Sequence, residues 1–406
     1  EGGRKYYLFV EKGTKIEDYA NDPDAPVSEL NTQGYKTSDK DVKWRESAGN
    51  RYLYYKGNPV KGWANVDGKT YYFDSEGWMK TDWINESGNW YYLDDSGAMK
   101  TGWCWVSGSW YYLNTSGVMQ TGLQTIEGKQ YYLSSSGDMQ VGWHNIGDDT
   151  YFFANSGENQ NINRRALVLG ETSTPAVPIA DVNAMEKVFS NQNFSEVVRF
   201  PDRTKSEIIA KMQELFESST ESDVNYLYFT CHGGRDGRIY LGSDGQTFSG
   251  WELASILKQY KGKFVVMLDC CHAGTIISKD NTGEANEEAS TKYFVLDEFV
   301  SGFSNMNGGE KAGEMIDSKF LVLCSSSSSE YSSGVALSLA TKYWSLGSGW
   351  NPVQQYQGSL IADQNYNNRI TLNELYSYSR EQVLKQNHKQ HIEVYPENSQ
   401  FVLFQK

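Results

Sequence analysis

The sequence predicts a two-part protein: an N-terminal solenoid of short β-hairpins, followed by a C-terminal α/β domain with a mostly parallel central sheet. An aromatic repeat runs through residues 62–153 with a period of about 20 residues. A polar linker, residues 154–163, then ends the periodicity, and apolar strand-like segments alternate with segments of helical periodicity beyond it. We therefore divide the chain into 1–61 (degenerate repeats or a cap), 62–157 (the repeat array) and 163–406 (the α/β domain).

Composition excludes several classes of function. The 406 residues carry a net charge of −14, so we expect no nucleic-acid partner. No apolar run approaches the ~20 residues needed to cross a bilayer, so no membrane span is expected. The five cysteines are odd in number, and their spacing fits neither a disulfide framework nor a CxxC zinc site.

The repeat is marked by tryptophan at four of five equivalent positions, with leucine at the other. Aromatic pairs, glycines and methionines recur in step with these marks, and no helical period is present. Such a unit is typical of a hairpin with a tight turn, and stacked units bury faces that one hairpin cannot bury alone. The marks are Trp63, Trp83, Trp103, Leu123 and Trp143.

The unit GWCWVSGSWYYLNTSGVMQTG, residues 102–122, resembles the choline-binding repeat of Gram-positive surface proteins. In that family, quaternary ammonium groups sit in aromatic cages between neighbouring repeats, where ring faces attract the cation. The resemblance implies choline binding, with glucan as the ligand of related repeats and a purely structural aromatic core as the alternatives. The candidate binding residues are Trp83, Trp90, Tyr92, Trp103, Trp110 and Tyr112.

The α/β domain begins with an apolar segment at 165–170. Further strands are predicted at 226–230, 264–268 and 320–324, and helices at 181–189, 205–217 and 249–260. Ser249 and Glu252 predict a capping box at the start of the third helix.

Two motifs follow consecutive strands of this domain: CHGG at 231–234 and DCCHAG at 269–274. Because ligands of parallel sheets bind beyond the carboxyl ends of the strands, we expect His232 and Cys271 to emerge side by side. A cysteine nucleophile needs a neighbouring base to form its thiolate. The backbone N–H groups of Gly233 and Cys271 are candidate oxyanion donors, and Cys231, Cys270 and Cys324 are expected in the core.

This pair of motifs resembles the caspase-like cysteine peptidases, and within them the metacaspase branch, over residues 163–406. The Ser-rich segment 324–333 and the turn 363–375 match further elements of that fold. In metacaspases two acidic residues line the S1 pocket, and the matching positions are Asp269 and Asp181. Because carboxylates attract basic side chains, the resemblance implies cleavage after Arg or Lys.

Residues 275–316 form a long polar connection between two predicted strands. In related peptidases the chain cuts itself here, and Lys279, Lys292 and Lys311 are the candidate sites under the predicted specificity. The alternative is an inert insertion.

Residues 363–374 also fit a calcium loop. Asp363, Asn365, Asn367, Thr371 and Glu374 place oxygen side chains at positions 1, 3, 5, 9 and 12. An asparagine stands at the sixth position, where glycine is usual, but asparagine tolerates the left-handed conformation. The alternative is a turn that caps the following helix. We therefore expect that no cofactor is required and that calcium is an optional ligand.

Together these features predict a secreted, cell-wall-associated cysteine endopeptidase of bacterial type, acting on peptides or proteins with a basic P1 residue. Any secretion leader is expected to be absent from a chain that opens at Glu1 on a polar stretch. Two alternatives remain: a surface binding protein with a silent peptidase domain, and a glucan-binding module whose peptidase acts only on itself.

Overall fold

The structure is a computed structural model that describes residues 33–47, 49–172, 179–233, 238–240, 244–270, 318–326 and 337–405. The chain divides into two compact units between Val141 and Gly142. None of the helices in the described ranges combines the length and apolar character needed to span a membrane.

The first unit is a series of antiparallel hairpins. Its strands are β1 (Gln33–Tyr35), β2 (Val42–Ser47), β3 (Asn50–Tyr55), β4 (Asn58–Pro59), β5 (Gly62–Val66), β6 (Lys69–Phe73), β7 (Asp82–Glu86), β8 (Asn89–Leu93), β9 (Gly102–Val106), β10 (Ser109–Leu113), β11 (Gly122–Ile126) and β12 (Lys129–Leu133). From β5 onward, consecutive strands pair two by two over five residues.

Two-residue turns set the register of these hairpins. Between β9 and β10, Ser107 and Gly108 have φ angles of 50° and 89°, as a type I′ turn requires. Glycine recurs at the second position of these turns, at Gly68, Gly88, Gly108 and Gly128, because it adopts a positive φ without steric cost.

The glycine and methionine periods are explained by stacking between successive hairpins. A Cβ atom at Gly117 would overlap Sδ of Met99, and Gly97 and Gly137 meet Met79 and Met119 in the same way. The backbone N–H of Met99 also donates to the Thr70 carbonyl at 2.7 Å. Glycine is thus needed where the methionine of the preceding repeat packs.

Residues 42–55 form a hairpin of the same kind, although they precede the regular repeats. The Trp44 ring lies 5.3 Å from the Tyr71 ring and 5.9 Å from that of Phe73. Residues 1–32 lie outside the described residues.

The second unit continues with strands β13 (Gly142–Ile146), β14 (Asp149–Phe153), β15 (Asn159–Gln160), β16 (Arg164–Gly170), β17 (Glu196–Arg199), β18 (Val224–Thr230), β19 (His232–Gly233), β20 (Arg238–Tyr240), β21 (Thr247–Ser249), β22 (Lys263–Asp269), β23 (Phe320–Cys324), β24 (Trp350–Asn351), β25 (Tyr356–Gln357), β26 (Arg369–Thr371), β27 (Glu393–Tyr395) and β28 (Val402–Gln405). Its described helices are α1 (Ile179–Ser190), α2 (Lys205–Phe216), α3 (Gly250–Leu257), α4 (Leu339–Gly347) and α5 (Leu372–Gln386).

Six of these strands form the central sheet in the order β17-β16-β18-β22-β23-β27. All neighbours are parallel except β23 and β27. Alternate side chains of β16 enter two cores: Val168 packs with residues of α1, α4 and α5, and Leu167 packs with residues of α2 and α3. Both faces of the sheet are therefore covered, which is why its inner strands β16, β18, β22 and β23 are mostly apolar.

The predicted hairpin solenoid and α/β domain are confirmed, and the local predictions differ in two places. Part of the expected linker forms strand β15, which pairs with β14. Ser249 accepts the N–H of Glu252 at 3.1 Å as a helix cap, but the Glu252 carboxylate binds Nζ of Lys205 at 2.6 Å. Lys205 of α2 is distant in sequence but close to Glu252 in the fold. It binds the carboxylate that the local sequence pattern assigned to the capping box.

Candidate active site and ligand sites

The two sequence motifs leave the sheet at the same level. Thr230, the last residue of β18, is the register partner of Asp269, the last residue of β22. The N–H of Cys231 donates to the Asp269 carbonyl at 3.2 Å. His232 follows in β19, where it pairs with Tyr240 of β20. The topology thus brings the first residues of the two motifs, Cys231 and Asp269, to the same edge of the sheet.

The predicted nucleophile itself, Cys271, lies outside the described residues. The same holds for the candidate self-cleavage sites Lys279, Lys292 and Lys311. Of the oxyanion candidates, Gly233 lies in β19 and pairs with Ile239. The dyad and the self-cleavage sites stay predictions.

The backbone immediately before Cys271 is held by two serine side chains, and a glutamine supports one of these serines. The Cys270 N–H donates to Oγ of Ser325 at 3.1 Å, and Oγ of Ser326 donates to the Cys270 carbonyl at 3.1 Å. Gln390 donates in turn to the Ser325 carbonyl at 2.8 Å. Both serines belong to the Ser-rich segment 324–333, for which the sequence predicted no such contact, and no sequence pattern pointed to Gln390.

The other cysteines of the second unit are core residues, as expected. Cys231, Cys270 and Cys324 are buried. Burial, followed by a hydrogen bond to Cys270, raises the pKa of the Cys231 thiol well above its ordinary value. Burial likewise raises the pKa of Cys324. Because the thiolate is the reactive form, neither side chain is suited to nucleophilic attack.

The two carboxylates predicted for the S1 pocket lie together under the first turn of α4. Ser338, the residue that caps this helix, donates its N–H to Oδ1 of Asp181 at 2.9 Å and its hydroxyl to Oδ2 of Asp269. Thr341 donates to Asp269 Oδ2 from its N–H at 3.1 Å and from its hydroxyl at 2.5 Å. Thr230 donates to Asp181 Oδ2 at 3.0 Å. Sequence reasoning missed Ser338 and Thr341.

Burial of this pair has an electrostatic consequence. Asp181 is fully buried and Asp269 is 3% exposed. Desolvation, and then the charge of Asp269, raise the pKa of Asp181 to about 7. A bound cation would favour the ionised form of this carboxyl and oppose that shift.

In the first unit, tryptophans meet tyrosines from two hairpins. The Trp83 ring lies 5.2 Å from that of Tyr92 in its own hairpin and 4.9 Å from that of Tyr111 in the next. The same arrangement recurs twice more. It joins Trp63 to Tyr72 and Tyr91, and Trp103 to Tyr112 and Tyr131.

This geometry explains the tyrosine pairs of the repeat. Successive side chains of a strand point to opposite faces, so the second tyrosine faces its own tryptophan and the first faces that of the preceding hairpin. Of the six candidate binding residues, the structure brings Trp83 together with Tyr92, and Trp103 together with Tyr112. The third ring of each site, Tyr91, Tyr111 or Tyr131, was not among the predicted residues.

The remaining two predicted aromatic residues are surface rings. Trp90 is 45% and Trp110 is 40% exposed. The Trp110 ring lies 6.5 Å from that of Trp103 and 5.3 Å from that of Trp105. Trp110 thus extends the Trp103 site toward solvent.

The loop at 363–374 combines features of both interpretations made from its sequence. Asp363 accepts the N–H groups of Asn367 and Asn368 at 3.1 and 2.8 Å, and Asn368 has a φ of 63°. Thr371 and Glu374 form a complete capping box at the start of α5, which confirms the capping interpretation. Across the described ranges, no group of three or more His, Cys, Asp or Glu side chains is placed to hold a metal ion.

Comparison with known families agrees with both halves of this description. Residues 163–346 match the caspase domain, and residues 60–101, 100–141 and 120–163 match the choline-binding repeat. The chain joins choline-binding repeats to a caspase domain. Among curated proteins, none matches this chain.

Solved structures similar to the fusion share its repeats. Choline binding protein F from Streptococcus pneumoniae is 39% identical over 29% of this chain and 44% of its own, with a TM-score of 0.28. The choline binding domain of Spr1274 from Streptococcus pneumoniae is 37% identical over 20% and 96%, with a TM-score of 0.19. The pneumococcal cell wall endolysin from phage Cp-1, complexed with choline, is 32% identical over 30% and 37%, with a TM-score of 0.24.

The fusion spans less than half the length of choline binding protein F. The family matches confirm the two resemblances found in the sequence. They support a cell-wall-associated surface protein with a domain of the cysteine peptidase family.

Proposed function

We propose that the fusion is a secreted cysteine endopeptidase of the Gram-positive cell surface that cleaves after Arg or Lys. Cys271 is the nucleophile and His232 the base in this proposal. The observation that carries it is the register of Thr230 with Asp269, because each predicted catalytic residue follows one of these two by two positions.

The proposed reaction begins with transfer of the Cys271 thiol proton to His232. The thiolate attacks the carbonyl carbon of the scissile bond, and the N–H groups of Gly233 and Cys271 stabilise the resulting oxyanion. The amine leaves with the proton from His232, and water then hydrolyses the thioester. No cofactor takes part in these steps.

Basic specificity is assigned to Asp181 and Asp269. Both carboxylates are buried. Asp269 ends β22 and directly precedes Cys270, and Ser338 links it to Asp181 of α1 by a hydrogen bond to each carboxylate. A guanidinium or ammonium group at P1 would be attracted by their charge. The fixed hydrogen bonds from Ser338 and Thr341 support the proposal because they hold both carboxylates in place.

The aromatic sites of the array are proposed to anchor the protein through choline. Each of the sites at Trp63, Trp83 and Trp103 offers the faces of three rings, which attract a quaternary ammonium group. Glucan is the alternative ligand. Elution of the full chain from a choline-bearing resin by free choline, but not by soluble glucan, is the expected result.

Self-cleavage at Lys279, Lys292 or Lys311 follows from the same specificity. We expect wild-type protein to be cut in this connection and Cys271→Ala protein to stay intact, as read by mass spectrometry of the fragments. Cleavage of the Cys271→Ala chain at these lysines in purified protein would contradict self-processing.

A calcium role is proposed for the loop at 363–374. Left-handed backbone at Asn368 and the inward Asp363 carboxylate suit the sixth and first positions of such a loop. Calcium would order the turn that precedes α5. With only two charged ligands, the expected affinity is weak, and Asp363→Asn should abolish any shift in unfolding temperature caused by calcium.

The proposal is tested by hydrolysis of fluorogenic peptides with Arg, Lys or Asp at P1. We expect wild-type protein to turn over the Arg and Lys peptides only. Cys271→Ala should be inactive, whereas Cys270→Ala, its neighbour in the core, should retain turnover. Absence of turnover in intact and nicked wild-type protein would instead favour a surface binding protein with a silent peptidase domain.

A further inference from the structure

The last hairpin of the array, β13 and β14, belongs to the second unit. Its tryptophan, Trp143, is 7% exposed. The equivalent tryptophans Trp63, Trp83 and Trp103 are only half-buried. The difference raises the question of what covers Trp143.

Two aromatic rings meet Trp143 in the pattern seen at the other sites. Its ring lies 5.1 Å from that of Phe152, nine residues on in the same hairpin. The third ring, which a tyrosine of the following hairpin supplies elsewhere, comes from Phe401 at 5.4 Å. The peptidase unit thus completes the three-ring arrangement of the repeats.

A cation from the peptidase unit occupies this arrangement. Nζ of Lys263 lies 5.2 Å from the Trp143 ring centroid and 5.7 Å from that of Phe401. The ammonium group also donates to the Ser318 carbonyl at 2.8 Å. Lys263 is 2% exposed, and ring faces attract a desolvated cation more strongly than an exposed one.

Polar contacts fasten the rest of the hairpin to the same unit. The Asp149 carboxylate pairs with Nε of Arg369 at 2.5 Å, and Thr150 accepts the Val402 N–H at 3.1 Å. Arg369 and Val402 begin β26 and β28, which pair with each other in the peptidase unit. These contacts fix the hairpin independently of the aromatic site.

We propose that the Trp143 site is a choline-type cage closed in cis, in which the ammonium of Lys263 takes the place of a quaternary ammonium ligand. The hairpin at 142–153 is therefore a structural part of the peptidase unit and binds no choline. Lys263 is the first residue of β22, and Cys271 follows the last residue of this strand by two positions. The cage therefore supports the strand that leads to the predicted nucleophile.

The test compares Trp143→Leu with Trp103→Leu in the full chain, since leucine already stands at the equivalent position 123. Hydrogen exchange of β22 reports the stability of the peptidase unit. Trp143→Leu should raise exchange of residues 263–269 by about tenfold or more and leave retention on choline resin unchanged. Trp103→Leu should weaken retention and leave this exchange unchanged.

Lys263→Ala provides a second variant if Trp143→Leu does not fold. It should also speed exchange of β22 without loss of retention. The double variant should lose less protection than the sum of the single losses, because the two side chains interact. Full additivity would overturn the cage, as would loss of retention in Trp143→Leu or unchanged exchange in both single variants. If wild-type protein is not retained on the resin, the choline proposal fails. The exchange results still test whether Lys263 and Trp143 stabilise β22, because they do not depend on choline binding.

Discussion

In the array, each complete site brings three aromatic rings together, whereas the peptidase sheet edge presents two buried carboxylates beneath α4. Both arrangements are suited to a positively charged group, but they respond differently to solution conditions. The rings stay neutral: burial raises the pKa of Tyr91 further above its already high ordinary value. Asp181, by contrast, titrates near neutral pH. Choline binding by the array should therefore not change with pH near 7. Selection of a basic P1 residue should change with pH in this range, because Asp181 titrates there.

Removing a charge at the sheet edge should affect catalysis and leave choline binding unchanged. Asp269→Asn should lower kcat/KM for Arg peptides by about 100-fold or more, because truncating one partner of a buried charge pair typically costs about 2–5 kcal/mol. Retention on choline resin should not change. The exposed carboxylate of Asp244 provides a matched control, and Asp244→Asn should leave both readouts as in wild type. An Asp269→Asn enzyme with wild-type kcat/KM would exclude this residue from S1.

The raised pKa of Asp181 predicts a pH dependence of stability. An unfolded chain ionises this group near the ordinary value of 3.8, and the folded protein near 7. Between these values the folded state holds the additional proton, so this group's contribution to stability falls as pH rises from about 4 to 7. The fall is at most on the order of 4 kcal/mol.

Asp181→Asn should remove that dependence. Urea unfolding at pH 5 and pH 8 measures it, and the variant should lose less stability than wild type between the two values. Identical pH dependence of the two proteins would show that the Asp181 carboxyl does not hold a proton in the folded state.

The array site can be tested by removing its third ring. Tyr131→Ala should weaken choline binding to the Trp103 site about 2- to 30-fold, as expected for a cation–π contact of about 0.5–2 kcal/mol. Tyr132→Ala is the control, because this ring lies on the opposite face of β12 and pairs with Leu123 in register. Calorimetric titration of both variants gives the comparison, and equal losses would contradict the assignment of Tyr131 to the site.

The parts of this molecule that the sequence predicts are those with local patterns. The repeat period located every hairpin from β5 onward, and the apolar segments located the two strands that end at Thr230 and Asp269. A stacking contact such as Met99 on Gly117 repeats along the chain, so its period is visible even though its geometry is not.

Contacts between distant segments leave no such pattern. Ser338 binds Asp181 across 157 positions, and Thr341 binds Asp269 across 72. The same applies to Phe401, whose contact with Trp143 arises only when β28 and the last hairpin come together. A linker of polar residues such as 154–163 likewise gave no sign of β15, because a two-residue strand has no period to detect.

We propose that Cys271 is a nucleophile whose substrate is selected by acidic residues. Labelling the full chain with a peptide electrophile that carries Arg at P1, and mapping the adduct by mass spectrometry, tests both parts of this proposal. We expect a single adduct on Cys271, lost in His232→Ala and strongly reduced in Asp269→Asn. An adduct on Cys270 or Cys231, or equal labelling by a peptide with Asp at P1, would contradict it.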